Sequence, residues 1–364
     1  MNKYTMRFLY NLLGSRSSKV AALKTLEVFR LPTYRIAIDT NNTCNLRCVM
    51  CYMSLDGYRD KINIMSMEMF ESIAKQIFHK TKMLDLSCSF EPFMTRNFLD
   101  YVRVARKYFN GYIGICTNAL LMKEEIVSNI INEELLDEIN ISIDGITEST
   151  YNSIRTKGDF ATLLKVLSLL KSVRNQNRAK KNPIIRINYT MLRKNVEELA
   201  GIYDFAREYD IDIVQLRHAK LTRPFSDLFD ESLFFHQELS DSILEKVKKQ
   251  FNRDKKITII HPPLFSSRKP KRIGKSVCAY PWFNFIISSN GDVNLCYIGS
   301  IGSFAENTFR EMLASELVVN SRSQLLKGKY EEFCRNCYAV SDMENVQKRS
   351  TFIREDLMPN VSVP

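Results

Sequence analysis

Between Thr33 and about residue 222, short apolar runs alternate with longer segments in which apolar residues recur every three or four positions. Short runs rich in Ile, Val and Leu are typical of buried strands, and the wider spacing is typical of amphipathic helices such as that of Phe70, Ile73 and Ile77. The pattern predicts six strands: Tyr34 to Asp39, Met83 to Cys88, Tyr112 to Cys116, Glu138 to Ile143, Ile184 to Tyr189 and Ile213 to Leu216.

The regular alternation of strands and helices predicts an α/β fold with a parallel sheet. Six β/α units in about 190 residues are fewer than the eight of a closed barrel, so we expect a partial (β/α)6 TIM-like barrel. Folds of this kind place their chemistry at the carboxyl ends of the strands. Polar residues that follow the predicted strands are therefore the first candidates for a functional site.

The alternation ends after about residue 222, and we predict four regions along the chain. Residues 1–32 form an N-terminal helical cap, 33–222 the barrel, 223–277 a bridging segment with a helix from Leu239 to Phe251, and 278–364 a small C-terminal α+β domain. In the last region, Asn290-Gly291 lies between FNFIIS and DVNLC, which is a strong β-hairpin signal.

Composition narrows the choice of location and partners. The sequence shows no export signal and no apolar run near the roughly 18 residues that cross a bilayer, so we expect a cytoplasmic protein without membrane contact. The net charge of +11 is spread along the chain and lacks interleaved aromatic residues, which argues against a nucleic-acid partner. Nine cysteines in a reducing compartment indicate metal ligation or catalysis rather than disulfides.

Three of the cysteines, Cys44, Cys48 and Cys51, lie within eight residues, directly after the first predicted strand. This spacing allows three thiolates to converge on one inorganic group. A cubane iron–sulfur cluster with three protein ligands keeps one iron uncapped, so that this iron can bind another molecule. A zinc ion is the alternative, although no fourth ligand follows close by.

The CxxxCxxC loop resembles that of the radical S-adenosylmethionine (SAM) superfamily. The resemblance implies that the three cysteines hold a [4Fe-4S] cluster and that SAM binds the uncapped iron through its amino and carboxylate groups. Reductive cleavage of SAM then yields a 5′-deoxyadenosyl radical, which takes a hydrogen atom from the substrate.

The resemblance continues at later strand ends and implies further SAM contacts. SFEP after the second strand matches the family's Gly-Gly-Glu loop, which makes Glu91 the expected partner of the methionine ammonium group. CTNAL after the third strand is similar to the family's Thr-Asn-Gly segment and adds Asn118. Met50, at a position that is often aromatic in the family, is expected to pack on the adenine through its thioether.

The fourth strand and the segment after it complete the resemblance to the SAM site. INISIDG contains Ser142 and Asp144, which resemble the family's polar pair near the ribose and the methionine carboxylate. YNSIRTKGDF resembles a Tyr-x-x-Ile-Arg segment, and Arg155 is the candidate for pairing with that carboxylate because a guanidinium suits it.

A second group of cysteines lies in the C-terminal region and comprises Cys278, Cys296, Cys334 and Cys337. The predicted hairpin returns Cys296 toward Cys278, and four thiolates can close a cluster completely, although a zinc ribbon also fits. The Cys-x12-Gly-x4-Cys spacing with a late Cys-x-x-Cys resembles the SPASM/twitch module of many radical SAM enzymes. The resemblance implies one auxiliary [4Fe-4S] cluster, because no cysteine follows Cys337.

Three residues are weaker catalytic candidates: Cys88, Cys116 and His218. Each cysteine ends a predicted strand, where it is either a small buried side chain or a thiol that returns a hydrogen atom to a substrate radical. His218 ends the sixth strand beside Gln215 and Arg217, where it could contact substrate.

These features predict a radical SAM enzyme that oxidises or otherwise modifies a sugar-like or other small metabolite, with flavodoxin or ferredoxin as reductant. Modification of a ribosomally made peptide is the alternative. Only 43 residues precede Cys44, too few for the winged leader-binding domain of many peptide modifiers, which favours the small metabolite. A non-catalytic zinc or nucleic-acid binding protein is the alternative from a different class.

Overall fold

The computed structural model describes residues 15–29, 34–55, 61–87, 89–177, 181–219, 221, 223–253, 256–267, 277–296 and 299–330. The strands in this part of the chain are β1 Tyr34–Ile38, β2 Thr81–Leu86, β3 Tyr112–Thr117, β4 Glu138–Ser142, β5 Ile184–Met191, β6 Ile213–His218, β7 Thr258–Ile260, β8 Asn284–Ile287, β9 Asp292–Asn294 and β10 Ser300–Ser303.

The α-helices of the described residues fill the segments between these strands. They are α1 Arg16–Phe29, α2 Met67–Ile77, α3 Phe98–Tyr108, α4 Glu124–Asn132, α5 Glu148–Ile154, α6 Phe160–Gln176, α7 Ile202–Glu208, α8 Gln237–Arg253, α9 Tyr280–Phe283, α10 Phe309–Ala314 and α11 Glu316–Leu326. None of the helices in the described residues is long and apolar enough to cross a membrane.

The six predicted strands are all present as β1 to β6, with ends that differ from the predicted ones by at most two residues. The predicted helix in the bridging segment is present as α8. The structure adds two strands that the pattern did not predict, β7 and β10, which have only three and four residues and are therefore too short to show a periodicity.

The chain divides into two compact units, and each unit consists of separate stretches of the sequence. The first unit contains residues 1–42, 62–114 and 270–346, and the second contains 43–61, 115–269 and 347–364. Strand β3 begins in the first unit and ends in the second.

In the first unit the strands follow the order β10-β9-β8-β1-β2-β3. β1 is parallel to both β2 and β8, with Arg35 opposite Asn284 and Ile38 opposite Ile287. β8, β9 and β10 pair antiparallel, and Gly291 at the β8–β9 turn has a φ of 88°, a conformation that glycine adopts without strain. The predicted hairpin is therefore present, and its first strand extends the parallel sheet.

Helix α1 packs within the first unit, against the elements that surround Cys278. Its Leu23 is fully buried in an apolar cluster with Trp282 and Leu325. The guanidinium of Arg16 donates a hydrogen bond of 2.7 Å to the backbone carbonyl of Leu326, at the end of α11. These contacts place the N-terminal helix on the C-terminal region of the chain.

In the second unit, β4, β5, β6 and β7 are parallel neighbours in that order. Ser142 lies opposite Asn188, and Asn188 lies opposite Gln215, so one row of polar residues crosses three strands near their carboxyl ends. Strands in each unit form an open sheet covered by helices. The predicted fold class, an open α/β sheet with a C-terminal hairpin, is confirmed.

Candidate active site

The three-cysteine loop follows β1 in the chain, and its cysteines are half-buried: Cys44, Cys48 and Cys51. Two backbone hydrogen bonds hold the loop against the end of α5. The N–H of Arg47 donates to the carbonyl of Thr156, and that of Val49 donates to the carbonyl of Ile154, each at 2.9 Å. The loop and the segment that carries Arg155 are therefore fixed to each other through the main chain.

Nitrogen donors surround the sulfur atoms of this loop. The Asn118 side-chain amide lies 3.8 Å from Cys44 Sγ, and the backbone N–H of Leu46 lies 3.4 Å from the same atom. Arg155 Nη1 lies 3.8 Å from Cys48 Sγ. Hydrogen bonds to ligand sulfurs are among the features that set the potential of an iron–sulfur cluster.

Burial opposes ionisation of the central thiol. It raises the pKa of Cys48 to about 11, although the guanidinium of Arg155 lowers it. A thiol of this kind is protonated at neutral pH and acts as a ligand only when a metal displaces the proton. The raised pKa argues against a free reactive thiolate at Cys48.

Arg155 forms a buried ion pair with Asp144. Arg155 Nη2 lies 2.7 Å from Asp144 Oδ2, and the two side chains are 10% and 1% exposed. Burial alone would lower the pKa of Arg155, but the negative charge of Asp144 raises it above its ordinary value. The other Asp144 oxygen accepts a 2.7 Å hydrogen bond from the backbone N–H of Thr190.

Local backbone geometry positions Arg155 at the end of α5. Thr147 caps the start of this helix by accepting a hydrogen bond from the N–H of Thr150. The preceding Gly145 leaves no room for a side chain, because a Cβ there would lie 2.5 Å from the backbone nitrogen of Tyr151. The close approach of the β4 loop to α5 therefore requires glycine at this position.

Several buried polar atoms near this ion pair have no hydrogen-bond partner among the described residues. They are Tyr151 Oη, Arg155 Nε and Asn188 Oδ1. Burial also raises the pKa of Tyr151 to about 12, so its hydroxyl stays neutral. Unsatisfied buried polar atoms are rare in native proteins, and an absent ligand is one explanation for them. The donors at the sulfurs and these atoms fit a polar cofactor beside a cysteine-bound cluster.

The polar row formed by Ser142, Asn188 and Gln215 contains the predicted site residue Ser142, and a second predicted residue, Cys116, lies next to it. Ser142 Oγ lies 3.5 Å from Cys116 Sγ, and the Asn188 amide lies 3.9 Å from the same sulfur. Asn118 also donates to the side-chain oxygen of Asn45 at 2.8 Å. The structure thus places Cys116 and Ser142 together, and it places Asn118 at the cysteine loop.

Met50 lies on an apolar surface rather than among polar groups. With Val49 and Leu55 it packs on a buried cluster formed by Ile154, Leu192, Ala219, Leu221, Phe225 and Phe229. A flexible thioether at the edge of such a cluster can follow the shape of a flat ring. The contact of Met50 with adenine stays a prediction.

Glu91 belongs to the first unit and is 2% exposed. Its side chain accepts a hydrogen bond from the N–H of Phe93 at the start of a 3₁₀ turn, and its backbone carbonyl accepts one from Asn41. The loop before it is held by Asp39, which accepts a hydrogen bond from the N–H of Ser89. Ser87 in this loop has a φ of 74°, a conformation that favours glycine.

The second cysteine group is only partly described. Cys278 precedes α9 and Cys296 follows β9, and both are half-buried in the first unit. Cys296 has a φ of 54°. The other two predicted ligands, Cys334 and Cys337, lie outside the described residues, as does Cys88.

His218 is held by two neighbours from the bridging segment. Its Nε2 lies 3.0 Å from the hydroxyl of Ser240, which is fully buried on α8. Its ring centroid lies 4.8 Å from that of Phe265. Asp241 accepts hydrogen bonds from the N–H groups of Phe265 and Ser266, which fixes the segment that covers the histidine.

A buried charge pair that was not predicted from the sequence links β4 and β5. Arg186 Nη2 lies 2.8 Å from Glu138 Oε2, and the two side chains are 2% and 1% exposed. Arg186 also donates to Gln215 Oε1 at 3.1 Å, as does Arg217. A charged residue inside an apolar strand, on each of two neighbouring strands, is the signal that could have revealed this pair.

Among the described residues, no three His, Cys, Asp or Glu side chains form a group that could hold a single metal ion. Residues 38–206 match the Radical SAM superfamily. Residues 278–338 match the SPASM iron–sulfur cluster-binding domain, and the two matches confirm the resemblance to radical SAM proteins with a C-terminal SPASM domain. The cofactors of the protein are [4Fe-4S] clusters and SAM.

Curated relatives resemble only part of the chain. It is 27% identical over 223 residues to a probable GTP 3′,8-cyclase of Thermoplasma volcanium, which covers 61% of this chain and 64% of the relative. It is 22% identical over 182 residues to a GTP 3′,8-cyclase of Synechocystis sp., with 49% and 52% covered. The chain therefore spans between half and two thirds of the length of these relatives.

Solved structures share the fold at low sequence identity. Streptococcus suis SuiB bound to SAM superposes with a TM-score of 0.64 at 15% identity, covering 82% of this chain and 70% of SuiB. The anSMEcpe protein with bound SAM and the Kp18Cys peptide gives a TM-score of 0.61 at 15% identity, with 87% and 90% covered. These similarities show the fold.

Proposed function

We propose that this protein cleaves SAM reductively at a cluster held by Cys44, Cys48 and Cys51. When bound, the cluster and SAM supply a 5′-deoxyadenosyl radical that removes a hydrogen atom from the substrate. The observation that carries the proposal is the convergence of Arg155, Asn118 and the Leu46 N–H on the sulfurs of one loop.

Different residues near the loop are assigned to different parts of SAM. Arg155 carries the positive charge that suits the methionine carboxylate, and its Nε has no partner among the described residues. Asp144 positions this guanidinium through the 2.7 Å ion pair. Ser142, which belongs to the polar row with Asn188, is assigned to the ribose. Met50 is assigned to the adenine, and Glu91 to the methionine ammonium group.

The C-terminal cysteines are proposed to hold a second cluster with four protein ligands: Cys278, Cys296, Cys334 and Cys337. A cluster without an open iron suits electron transfer rather than substrate activation. Net dehydrogenation would then balance: the substrate would lose a hydrogen atom to the 5′-deoxyadenosyl radical, which gives 5′-deoxyadenosine, and would lose one electron to the second cluster and one proton to a base. We assign the enzyme to the oxidation of a small, sugar-like metabolite on this basis.

The reductant is proposed to be flavodoxin or ferredoxin. These proteins are acidic, and the excess of 52 Lys and Arg over 41 Asp and Glu gives this chain the opposite charge. Electrostatic steering of this kind weakens with ionic strength. Reduction by flavodoxin should therefore slow as salt is added, whereas reduction by dithionite should not show the same dependence.

Anaerobic reconstitution tests the proposal. The protein should bind about eight irons, the content of two [4Fe-4S] clusters, and should form 5′-deoxyadenosine from SAM with dithionite. Alanine at Cys44, Cys48 and Cys51 together should abolish this product. Alanine at Cys334 and Cys337 should halve the iron but spare SAM cleavage. Cys116→Ser is the matched control for iron content, which it should leave unchanged.

A protein that binds zinc and forms no 5′-deoxyadenosine would contradict the proposal. Equal loss of SAM cleavage in the two groups of cysteine variants would contradict the division between a catalytic and an auxiliary cluster. Both outcomes can be read without knowledge of the substrate.

A peptide substrate is the second candidate. SuiB bound to its precursor peptide SuiA superposes on this chain with a TM-score of 0.63 at 16% identity. The names of the curated relatives suggest a third type of molecule, GTP. The class that stimulates 5′-deoxyadenosine formation above the substrate-free rate, among sugars, GTP and peptides, identifies the substrate type.

A further inference from the structure

Asn195 is a fully buried polar residue at the turn that follows β5. Its side-chain oxygen accepts a 2.7 Å hydrogen bond from the N–H of Leu192. Its amide nitrogen donates to the backbone carbonyls of Asp144 and Thr190, each at 2.9 Å. Its own backbone carbonyl accepts a 2.8 Å hydrogen bond from the hydroxyl of Tyr189. The side chain thus uses its acceptor and both amide hydrogens.

The two carbonyls that Asn195 holds belong to different strand ends. Asp144 lies two residues beyond β4, and Thr190 lies near the end of β5. The N–H of Thr190 in turn donates to the Asp144 carboxylate at 2.7 Å. Asn195 therefore ties together the main chain on both sides of that hydrogen bond and fixes where the carboxylate lies.

The position of the Asp144 carboxylate determines the position of the next group. Its second oxygen lies 2.7 Å from Arg155 Nη2, and Arg155 Nη1 lies 3.8 Å from Cys48 Sγ. Arg155 is almost completely buried, so its guanidinium has few alternative positions. A shift of Asp144 would consequently move the guanidinium relative to the cysteine loop.

We infer that Asn195 is a positioning residue for SAM, acting through Asp144 and Arg155. The inference rests on the proposed function, because it takes Arg155 as a group that binds the methionine carboxylate. The hydrogen bonds of Asn195 described above connect it to main-chain groups and to the hydroxyl of Tyr189. The effect of Asn195 should therefore appear in the affinity for SAM and in the geometry of the bound molecule, with cluster assembly unaffected.

A graded series of variants tests the role. Asn195→Asp keeps the size and the acceptor but replaces the amide donor, Asn195→Ser keeps one short donor, and Asn195→Ala removes the side-chain groups. The expected result is a KM for SAM raised about tenfold or more in Asn195→Asp and Asn195→Ala, with an intermediate value for Asn195→Ser. Iron content should equal that of the unchanged protein.

Tyr189→Phe is the matched control. It removes the hydrogen bond to the backbone carbonyl of Asn195 at an equally buried position and leaves the side-chain amide in place. A purely structural role would make Tyr189→Phe and Asn195→Asp alike, with lower melting temperatures and an unchanged KM for SAM. A positioning role raises the KM for SAM only in the Asn195 series.

Electron paramagnetic resonance gives a readout that does not depend on turnover. Addition of SAM to the reduced cluster of the unchanged protein should change its spectrum, and the same change should need higher SAM concentrations in Asn195→Asp. Should Asn195→Ala fail to fold, the Asp and Ser variants still decide the matter. A KM for SAM within twofold of the unchanged protein in Asn195→Asp would overturn the inference. Absence of SAM cleavage in the unchanged protein would instead overturn the proposed function.

Discussion

The guanidinium of Arg155 and the carboxylate of Asp144 lie 2.7 Å apart, and neither side chain has appreciable access to solvent. The resemblance of motifs assigns Arg155 and Asp144 separately to SAM binding, whereas the structure shows that the two side chains form an ion pair. Asp144 contacts Arg155 and the Thr190 N–H, so we expect any effect of Asp144 on SAM binding to pass through the guanidinium.

Asp144→Asn should strongly destabilise the protein, because it leaves the charge of Arg155 buried without its partner. The expected loss is about 3–5 kcal/mol in the free energy of unfolding, measured by urea denaturation of the cluster-free protein. Asp210→Asn is the control: Asp210 is 54% exposed and lies 3.7 Å from Arg174. It should cost no more than about 1 kcal/mol, and equal losses in the two variants would contradict the prediction.

The buried pair of Glu138 and Arg186 should behave as one unit. Glu138→Leu and Arg186→Leu should each lower the free energy of unfolding by about 3–5 kcal/mol, because each leaves one buried charge unpaired. The double variant should lose less than the sum of the two, which a double-mutant cycle by urea denaturation measures. Additive losses would show that the two charges do not interact.

Gly145→Ala should reduce both stability and SAM cleavage. The new methyl group would meet the backbone of Tyr151 and push α5 away from the β4 loop, which displaces Arg155. We expect a loss of about 1–3 kcal/mol in unfolding free energy and a decrease on the order of 100-fold in 5′-deoxyadenosine formation.

Gly201→Ala provides the comparison for this variant. A Cβ at Gly201 would meet only the end of the Ile146 side chain, at 3.0 Å, and the backbone there is already helical. Its stability should be unchanged or higher by up to about 1 kcal/mol. A similar decrease in activity for both glycine variants would contradict the steric explanation.

The start of α10 should show a pH-dependent cap. Thr308 and Glu311 form a reciprocal capping box, and the backbone N–H and hydroxyl of Thr308 lower the pKa of Glu311. Because that pKa is lowered in the folded state, the contribution is present above the ordinary glutamate pKa and is lost as the pH falls through the folded-state value. Thr308→Ala should therefore lower the melting temperature at pH 7 and have a smaller effect at pH 3.

Glu311→Gln separates the charge from the hydrogen bond in the same cap. It keeps an acceptor for the Thr308 N–H but does not titrate, so the effect of Thr308→Ala in this background should be the same at both pH values. A pH dependence that persists in Glu311→Gln would assign it to a different group.

Much of the fold could be predicted from the sequence because buried parallel strands are local apolar runs. β1 to β6 and α8 were located in this way, and the Asn290-Gly291 turn located the β8–β9 hairpin. β7 and β10 were missed because three or four residues give no periodicity. The pairing of Asp144 with Arg155, and the role of Asn195 behind them, depend on contacts between separate loops. Spacing along the chain carries no information about such contacts.

The parallel pairing of β8 with β1 has a consequence for attempts to isolate the barrel. A fragment that stops before residue 278 would lose β8 and would expose the unpaired main-chain groups of β1 along Arg35 to Ile38. Such an open edge recruits strands from other molecules, so the excised fragment should aggregate instead of serving as a minimal enzyme. Strand β8 of the C-terminal iron–sulfur domain therefore also covers the edge of β1.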